Sequence, residues 1–298
     1  MQQQERQPLI SVVMPVYNAG DFLVDAIESI LNQTYKNFEF VIVDDASTDN
    51  SLNILKKYAR KTKKIRLFKN ISNQGVSITV KRAIKEARGT FLARMDADDI
   101  ALPQRLEKQI DYLLKHKKTV AIGGQCLVIN KEGEIIGEKK FPESFTEIYR
   151  YIYRFIPLQQ PTLMIARKRL PSDFVYYVDG MNTAEEIELF FKLFKYGKVE
   201  NLPHYLLFYR IHEKNTSLID VKQTFLLTLV ARLKGVFIYG YKPGFLGVLI
   251  TLFQTITVLL LSRKMIIIVY KMTKKLSTYK QSAIFSFNRA SVEPTISI

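Results

Sequence analysis

Three closely spaced aspartates are the strongest chemical feature of this chain. Asp96, Asp98 and Asp99 stand in the run MDADD, at the end of the apolar segment 91–95. Three carboxylates in a half-buried cleft repel one another, and a divalent cation with oxygen ligands relieves that repulsion. In an extended segment alternate side chains share a side, so Asp96 and Asp98 are expected to point the same way. The run therefore predicts a Mg²⁺ or Mn²⁺ site, with capping of the next helix by Asp98 or Asp99 as the structural alternative.

A second acidic pair, Asp44 and Asp45, follows another apolar run, residues 38–43. If both runs are parallel strands, both acidic groups lie at the carboxyl edge of the sheet, where open α/β sheets bind ligands. The first strand leads into PVYN rather than GxGxxG, and the chain contains no GxxxxGK[ST] segment. These differences exclude the dinucleotide-binding and P-loop classes.

The elements that must position these acids alternate along the first 115 residues. Strands are predicted at residues 9–14, 38–43, 65–68 and 91–95, where the runs are apolar and rich in β-branched residues. Helices are predicted between them, with Asp21 as the first N-cap, Gly89 ending the third helix and Pro103 opening the fourth. This rhythm predicts an α/β fold with a doubly wound, mostly parallel, Rossmann-like sheet.

Three linked segments carry a family resemblance. They read SVVMPVYNAGDFLVDAIESILNQTYKNFEFVIVDDASTDNS, NQGVS and ARGTFLARMDADD, and together they resemble the family-2 glycosyltransferases over residues 9–115. A weaker similarity covers residues 184–212. The resemblance implies a GT-A fold and a metal-dependent, hexosyltransferase-like enzyme. Such an enzyme transfers a sugar from a nucleoside diphosphate to an acceptor hydroxyl, with inversion at the anomeric carbon.

The resemblance also implies roles for individual residues. The nucleotide would contact Pro15, Val16, Tyr17, Asp44 and Asp45. Asp96 would lie near the ribose or donor sugar, and Asp98 would hold the metal on the diphosphate. Arg210 and His212 would approach the diphosphate or the metal. Glu186 would be the catalytic base, supported by Glu185; the alternative for this acidic pair is a solvated first turn of a helix.

Positive charge concentrates toward the C-terminus. The chain has 44 Lys and Arg against 28 Asp and Glu, a formal charge of +16, and residues 263–298 hold seven cations and one anion. The uncharged run 243–262 before them is borderline for spanning a bilayer, which takes about 20 apolar residues. We predict that it dips into the membrane interface while the cations bind anionic headgroups; the alternative is a pair of packed amphipathic helices. The predicted division is a transferase domain at 1–220, with halves 9–115 and 116–220, and a helical extension at 221–298.

Three other functional classes are alternatives to this enzyme. A nucleic-acid-binding protein would gather its cations into one patch with aromatic residues, whereas here they spread along helices and the tail, so no nucleic-acid partner is predicted. A sugar nucleotidyltransferase would carry a glycine-rich basic loop after the first strand, and residues 15–21 lack one. The third, a membrane-binding protein without catalysis, would leave the acidic groups unexplained.

Compartment and partners follow from smaller signals. The start MQQQERQPLI has no apolar signal segment, and the single cysteine, Cys126, forms no disulfide framework and is expected in a buried strand. We therefore expect a cytoplasmic protein, peripheral on the inner face of the cell membrane. The expected partners are a nucleotide-sugar donor and a glycan or lipid-linked acceptor in surface polysaccharide biosynthesis.

Overall fold

The central element of the fold is a nine-stranded sheet. The structure is a computed structural model, and it describes residues 7–178, 185–212, 221–261 and 265. The strands are β1 (Ile10–Val16), β2 (Phe38–Asp44), β3 (Ile65–Lys69), β4 (Phe91–Arg94), β5 (Ile100–Ala101), β6 (Thr119–Ile129), β7 (Ile135–Lys139), β8 (Met164–Ala166) and β9 (Lys198–Arg210). The helices are α1 (Leu23–Leu31), α2 (Ser51–Lys61), α3 (Val76–Glu86), α4 (Arg105–Lys115), α5 (Phe145–Tyr151), α6 (Glu185–Phe194), α7 (Val221–Phe237) and α8 (Phe245–Leu260). The strand order is β3-β2-β1-β4-β8-β6-β9-β5, with β7 paired to β6.

The first half of the sheet is parallel and covered on both faces, as the alternating pattern predicts. Strands β3, β2, β1 and β4 pair in parallel. On β1, Val12 and Met14 pack in the same cluster as the buried side of α1, whereas Val13 packs with the buried side of α3. Successive residues of a strand face opposite sides, so a run that is apolar throughout fits a strand between two layers of helices.

The second half of the sheet is mixed. Strand β8 is antiparallel to both β4 and β6, while β9 is parallel to β6 and antiparallel to the two-residue β5. The pairing of Ile100 with Phe208 brings the end of β9 beside the segment that follows β4. The buried position of Cys126 in β6 confirms the expectation for that residue.

Several predicted element ends were wrong, each for a local reason. Strand β1 continues through Pro15, whose nitrogen has no hydrogen to donate. That nitrogen lies on the β4 side of the strand, where β4 has already ended: the pairing stops at Arg94, and the Val13 carbonyl accepts from the Met95 amide. Asp21 is not the N-cap residue of α1. That helix begins at Leu23, directly after Phe22, and the amides of these two residues donate to the Ala19 carbonyl.

Two further corrections concern Gly89 and Pro103. Helix α3 ends at Glu86, and Gly89 serves close packing, since a Cβ there would lie 2.6 Å from the backbone nitrogen of Ser11. Pro103 lies in the turn before α4, which begins at Arg105.

A buried cluster of hydrogen bonds and ion pairs around Glu188 joins α6 to α7 and to the residues that follow α7. The carboxylate of Glu188 is 3 % exposed and accepts hydrogen bonds from Lys234 Nζ at 2.9 Å and Tyr239 Oη at 2.7 Å. Lys192 Nζ lies 3.3 Å away on the same helix. Burial alone would raise the pKa of Glu188, but these donors hold that pKa below its ordinary value. Residues beyond 220 therefore contact the helix that begins with Glu185 and Glu186.

We expect Glu188→Gln to lower the free energy of unfolding by about 1.5–3 kcal/mol at neutral pH, since it weakens charge-assisted hydrogen bonds in a buried site. Urea unfolding measures the difference, with Glu132→Gln in an exposed turn as the control. A depressed pKa gives stability that is lost as pH falls through the folded-state value, so the gap between wild type and variant should shrink in acid. Equal unfolding midpoints at neutral pH would contradict this role.

Contacts divide the chain into two compact units, Met1–Leu252 and Phe253–Ile298. The proposed domain boundary at residue 220 stays a prediction. Among the described residues, no helix combines the length and the apolar character that crossing a bilayer requires. Most of the predicted basic tail, namely residues 263–264 and 266–298, lies outside the described residues.

Candidate active site

Both acidic groups lie at the carboxyl edge of the parallel strands. Asp44 ends β2 and pairs with Val16, while Asp96, Asp98 and Asp99 follow β4. Strand β1 lies between β2 and β4, so its own end, with Pro15, Val16 and Tyr17, separates the two groups. The structure thus assembles at one edge the residues that the sequence singles out from three separate segments.

Asp45 organises the turn that precedes α3. Its Oδ1 accepts from Asn70 Nδ2 at 2.6 Å and from the Gln74 amide at 2.9 Å, and its Oδ2 accepts from the Gly75 amide at 2.9 Å. Gly75 has φ 85°, a conformation that glycine adopts without strain. The neighbouring Asp44 is also buried, and among the described residues its Oδ1 has no hydrogen-bond partner. A ligand hydroxyl or amide would satisfy that buried oxygen.

The loop after β1 presents an exposed aromatic ring beside these acids. Tyr17 is 50 % exposed, although Val16 before it is buried. The next residue, Asn18, has φ 49°, and its side-chain oxygen accepts from the Thr48 amide at 2.8 Å. Ala46 also has a positive φ of 58°. A left-handed backbone conformation costs free energy in a residue other than glycine, and such strained residues are common at binding sites. The hydrogen bond between the two loops stabilises this conformation of Asn18.

The three aspartates after β4 form a cluster with the donor set of a hard cation. One carboxylate oxygen from each of Asp96, Asp98 and Asp99 lies within 4.8 Å of the others. Asp96 contacts Arg94 Nη1 at 2.7 Å, and Asp98 Oδ2 contacts His212 Nε2 at 3.0 Å. Asp96 and Asp98 are half-buried on either side of buried Ala97, although the segment is a turn at Ala97 and Asp98 rather than the extended chain that the sequence predicts. These oxygen ligands fit Mg²⁺ or Mn²⁺.

Asp99 does not cap α4, so the capping alternative is wrong for this residue. Its Oδ1 accepts from the backbone amide of Arg210 on β9 at 2.9 Å, and α4 has no side-chain cap. Asp99 Oδ2 is buried and finds no hydrogen-bond donor among the residues that the structure describes. An orphaned buried carboxylate oxygen inside an acidic cluster is the feature that a bound cation explains.

The cluster carries more negative charge than its surroundings neutralise. Burial raises the pKa of Asp96 above its ordinary value, with Asp98 adding to the rise and Arg94 opposing it. Burial, together with Asp98 and Asp96, raises the pKa of Asp99 well above the ordinary value. Beneath the cluster, Arg105 donates to the Arg94 carbonyl at 2.6 Å, and burial lowers its pKa to about 10. Arg105 therefore stays charged at neutral pH, but the carboxylates still favour additional positive charge.

Arg210 holds the backbone around Asp98. Its side chain is 2 % exposed; Nε donates to the Asp98 carbonyl at 3.0 Å and Nη2 contacts Asp25 at 3.1 Å. Its guanidinium also lies 4.8 Å from the ring centroid of Phe22, which contacts the His212 ring at 4.7 Å. The structure thus joins Arg210 and His212 to the aspartate cluster, and a direct contact of Arg210 with a diphosphate stays a prediction.

The predicted base lies on a different element. Glu185 and Glu186 are the first two residues of α6, and Glu186 is partly exposed. The side chain of Glu185 lies outside the described residues. The catalytic role of Glu186 stays a prediction, as does the alternative of a solvated helix start.

Sequence reasoning missed three charged residues that support the cluster. Arg94 and Arg105 are both buried, and Arg94 stands in an otherwise apolar strand, where a cation needs a partner. That mismatch was the available signal. Asp25 gave no signal, because its contact with Arg210 joins residues 185 positions apart.

Comparison with known proteins identifies the fold and its relatives. A family model described as glycosyl transferase family 2 matches residues 11–171. An uncharacterised glycosyltransferase of Methanocaldococcus jannaschii is 34 % identical over 222 residues, covering 73 % of this chain and 76 % of the relative. The O-antigen biosynthesis glycosyltransferase WbnJ of Escherichia coli is 32 % identical over 218 residues, covering 70 % and 82 %. The crystal structure of S. aureus TarS 1-349 in complex with UDP-GlcNAc superposes with a TM-score of 0.58 at 22 % identity, over 75 % of this chain and 66 % of TarS.

Proposed function

This chain belongs to glycosyl transferase family 2, and from that premise we propose that it transfers a sugar from a nucleoside-diphosphate donor to a hydroxyl of a glycan or lipid-linked saccharide. The observation that carries the proposal is the Asp96, Asp98 and Asp99 cluster, at the same sheet edge as Asp44 and Asp45. The first group suits a cation and its diphosphate, and the second suits the hydrogen-bond donors of a base or ribose. The WbnJ relative supports surface polysaccharide as the product class.

The nucleotide half of the site would work by positioning. Asp44 and Asp45 would accept hydrogen bonds from the base or ribose, beside Pro15 and Val16, and the exposed ring of Tyr17 offers a face for stacking. Asp98, with Asp96 and Asp99, would hold Mg²⁺ or Mn²⁺. When bound, that cation offsets the negative charge that builds on the departing nucleoside diphosphate.

The acceptor half would supply a base. An acceptor hydroxyl is a poor nucleophile, so a carboxylate within hydrogen-bond reach must remove its proton as the new C–O bond forms. Glu186 is the proposed base, with Glu185 beside it, on a helix that Glu188 fastens in place. A single displacement needs no nucleophile from the protein and inverts the anomeric carbon.

The reaction is tested by a screen of UDP-, GDP- and dTDP-sugars in the presence of Mn²⁺. The proposal predicts metal-dependent release of the nucleoside diphosphate from one donor class. Release of pyrophosphate would instead indicate a nucleotidyltransferase. No turnover of any donor, with and without glycan acceptors, would contradict the proposal.

A peripheral membrane position on the inner face of the cell membrane is also proposed, and the exposed side of α7 supports it. Large apolar side chains recur there at the spacing of one helical face: Leu226, Val230, Leu233 and Phe237 are all exposed. The opposite side packs on α6, since a Cβ at Gly235 would lie 2.8 Å from the Phe191 ring. Phe245, Leu249 and Leu252 of α8 are exposed as well. Residues 221–262 contain no Asp or Glu, which suits an anionic lipid surface.

We expect the double variant Leu233→Glu, Phe237→Glu to bind phosphatidylglycerol vesicles at least about tenfold more weakly than the wild type. Each change removes buried apolar area at the interface and adds a charge that anionic lipid repels. Vesicle cosedimentation measures the effect. Ile136→Glu, at an exposed apolar position on β7, is the matched control and should sediment like the wild type. Equal sedimentation of all three proteins would remove α7 from the interface.

A further inference from the structure

A basic cavity lies between α3 and the segment that follows β8. Its volume is about 630 Å³. Five cationic side chains line it, namely Lys81, Lys85, Arg88, Arg167 and Lys168. Among the described lining residues none is Asp or Glu. The charged residues that surround this space are therefore all cationic hydrogen-bond donors, set among apolar side chains such as Leu170 and Phe174.

The cavity lies at the opposite edge of the sheet from the aspartate cluster. Its lining residues Gly89 and Thr90 directly precede β4, whereas Asp96 follows it. The four residues of β4 span about 13 Å at 3.3 Å per residue. The donor site described above does not account for the cavity.

The walls of the cavity are held by specific contacts. Arg167 Nη1 donates to the Ala87 carbonyl at 2.7 Å, and the Arg167 amide donates to the Thr90 carbonyl at 3.0 Å. Phe174 and Tyr176 pack edge to face with centroids 4.9 Å apart. Burial raises the pKa of Tyr176 to about 12, against the opposing effect of Arg167. Its hydroxyl therefore stays protonated at neutral pH.

The hydroxyls add to the same chemistry. Thr90, Ser172 and Tyr176 each bring a neutral O–H group to a lining that already holds five cations. Cations gathered on a concave wall repel one another and raise the local concentration of anions. An anionic ligand would relieve the repulsion, as a divalent cation would at the opposite edge.

We propose that this cavity binds an anionic saccharide, a short sugar chain that carries carboxylate or phosphate groups. The volume lies within the range of sites for small ligands, roughly 300–1,000 Å³. The rings of Phe174 and Tyr176 supply apolar faces for a sugar ring beside the charged groups. A concave site of this size favours a discrete ligand over a flat bilayer, and its lining residues come from two short segments rather than from an extended groove that would follow a nucleic-acid backbone.

The role of this ligand as part of the acceptor rests on the proposed function, whereas its binding does not. A glycan chain bound in this cavity would stay attached to the enzyme, with its growing end free to reach the aspartate cluster at the other end of β4. The cavity then selects acceptors by charge. Binding and transfer are measured separately, so failure of one does not decide the other.

Calorimetry on the full chain tests the binding. The probes are trigalacturonate, which carries carboxylates, glucose 1-phosphate, which carries a phosphate, and neutral maltotriose. We expect at least one of the two anionic probes to bind, and maltotriose to bind at least about tenfold more weakly than that probe. The phosphate and carboxylate arms distinguish the two sources of negative charge.

Variants locate the site. Lys85→Glu, Arg88→Glu should weaken the anionic probe at least about tenfold, since both side chains line the cavity and both are exposed. Lys56→Glu, Lys57→Glu on α2 makes the same change of charge at exposed positions and should stay within about twofold of the wild type. Binding of UDP with Mn²⁺, measured alongside, is expected to be the same in all three proteins.

Three outcomes would overturn the inference. The first is equal weakening of probe binding in both double variants, and the second is no preference of the wild type for the anionic probes over maltotriose. The third is that the cavity double variant loses binding to phosphatidylglycerol vesicles but keeps its binding to the anionic probes. The last outcome would assign the cations to a membrane surface instead. A single change, Lys168→Ala, gives a second reading if the double variant fails to fold, and an unchanged affinity there would also count against the site.

Discussion

Glu186→Gln is expected to reduce the turnover number of sugar transfer by about 10²–10⁴-fold, the contribution typical of a general base. Glutamine has nearly the size of glutamate but cannot accept the acceptor's proton. The affinity for the nucleotide-sugar donor should stay nearly unchanged, because Glu186 lies on α6 and the aspartates that would bind the donor follow β2 and β4. The loss should therefore appear in kcat rather than in donor binding.

The alternative for Glu186 makes a different prediction. A solvated acid in the first turn of a helix contributes about 0.3–1 kcal/mol of stability and nothing to turnover. Steady-state kinetics with a chosen donor, together with the unfolding midpoint, separates the two roles. Glu132→Gln is the matched control and should behave like the wild type in both measurements. Wild-type kcat in Glu186→Gln would remove this residue from the mechanism.

Asp98→Asn should lower kcat/KM for the donor by about 10²–10³-fold, because it removes a negative ligand from the group that would hold the cation on the diphosphate. Asparagine preserves the side-chain shape and can still hydrogen-bond to His212, whose Nε2 lies 3.0 Å from Asp98 Oδ2. Higher Mn²⁺ concentration should restore part of the activity. Asp173→Asn, at an exposed position, serves as the control for the loss of one carboxylate.

Stability distinguishes this effect from misfolding. Asp98 raises the pKa of both Asp96 and Asp99 alongside their burial, so neutralising it relieves repulsion within the cluster. The metal-free variant should therefore unfold at a higher denaturant concentration than the metal-free wild type. A variant that keeps wild-type kcat/KM at low Mn²⁺ would contradict the assignment of Asp98 as a metal ligand.

The parallel half of the sheet could be predicted because its signals are local. Each of β1 and β2 is a mostly apolar run, interrupted by Ser11 in β1 and by Glu39 in β2, and each ends near the polar residues that form the site. The mixed half could not be predicted in the same way. Strands β5 and β8 have two and three residues, too short for any periodic pattern, and β9 pairs with partners far away in sequence.

The candidate site divides along the same line. The sequence predicts that the carboxylates of Asp96 and Asp98 lie together, and the structure brings them within 4.8 Å, although through a turn at Ala97 and Asp98 rather than an extended segment. The sequence offers helix capping as one alternative for Asp99, because nothing local to it shows that β9 lies beside this residue and supplies the Arg210 amide. The Glu188 group was missed for the same reason, since its donors come from residues 234 and 239. Contacts that close long loops depend on tertiary packing, which residue patterns describe poorly.

The central claim is that the aspartate cluster binds a divalent cation together with a nucleoside diphosphate. Isothermal titration calorimetry tests it most directly, with UDP, GDP or dTDP titrated into the full chain in Mn²⁺ and again in EDTA. The account predicts saturable binding of one nucleotide class in Mn²⁺, little or none in EDTA, and strongly weakened binding to Asp98→Asn. The same heats in EDTA as in Mn²⁺, or no heat with any of the three nucleotides, would contradict it.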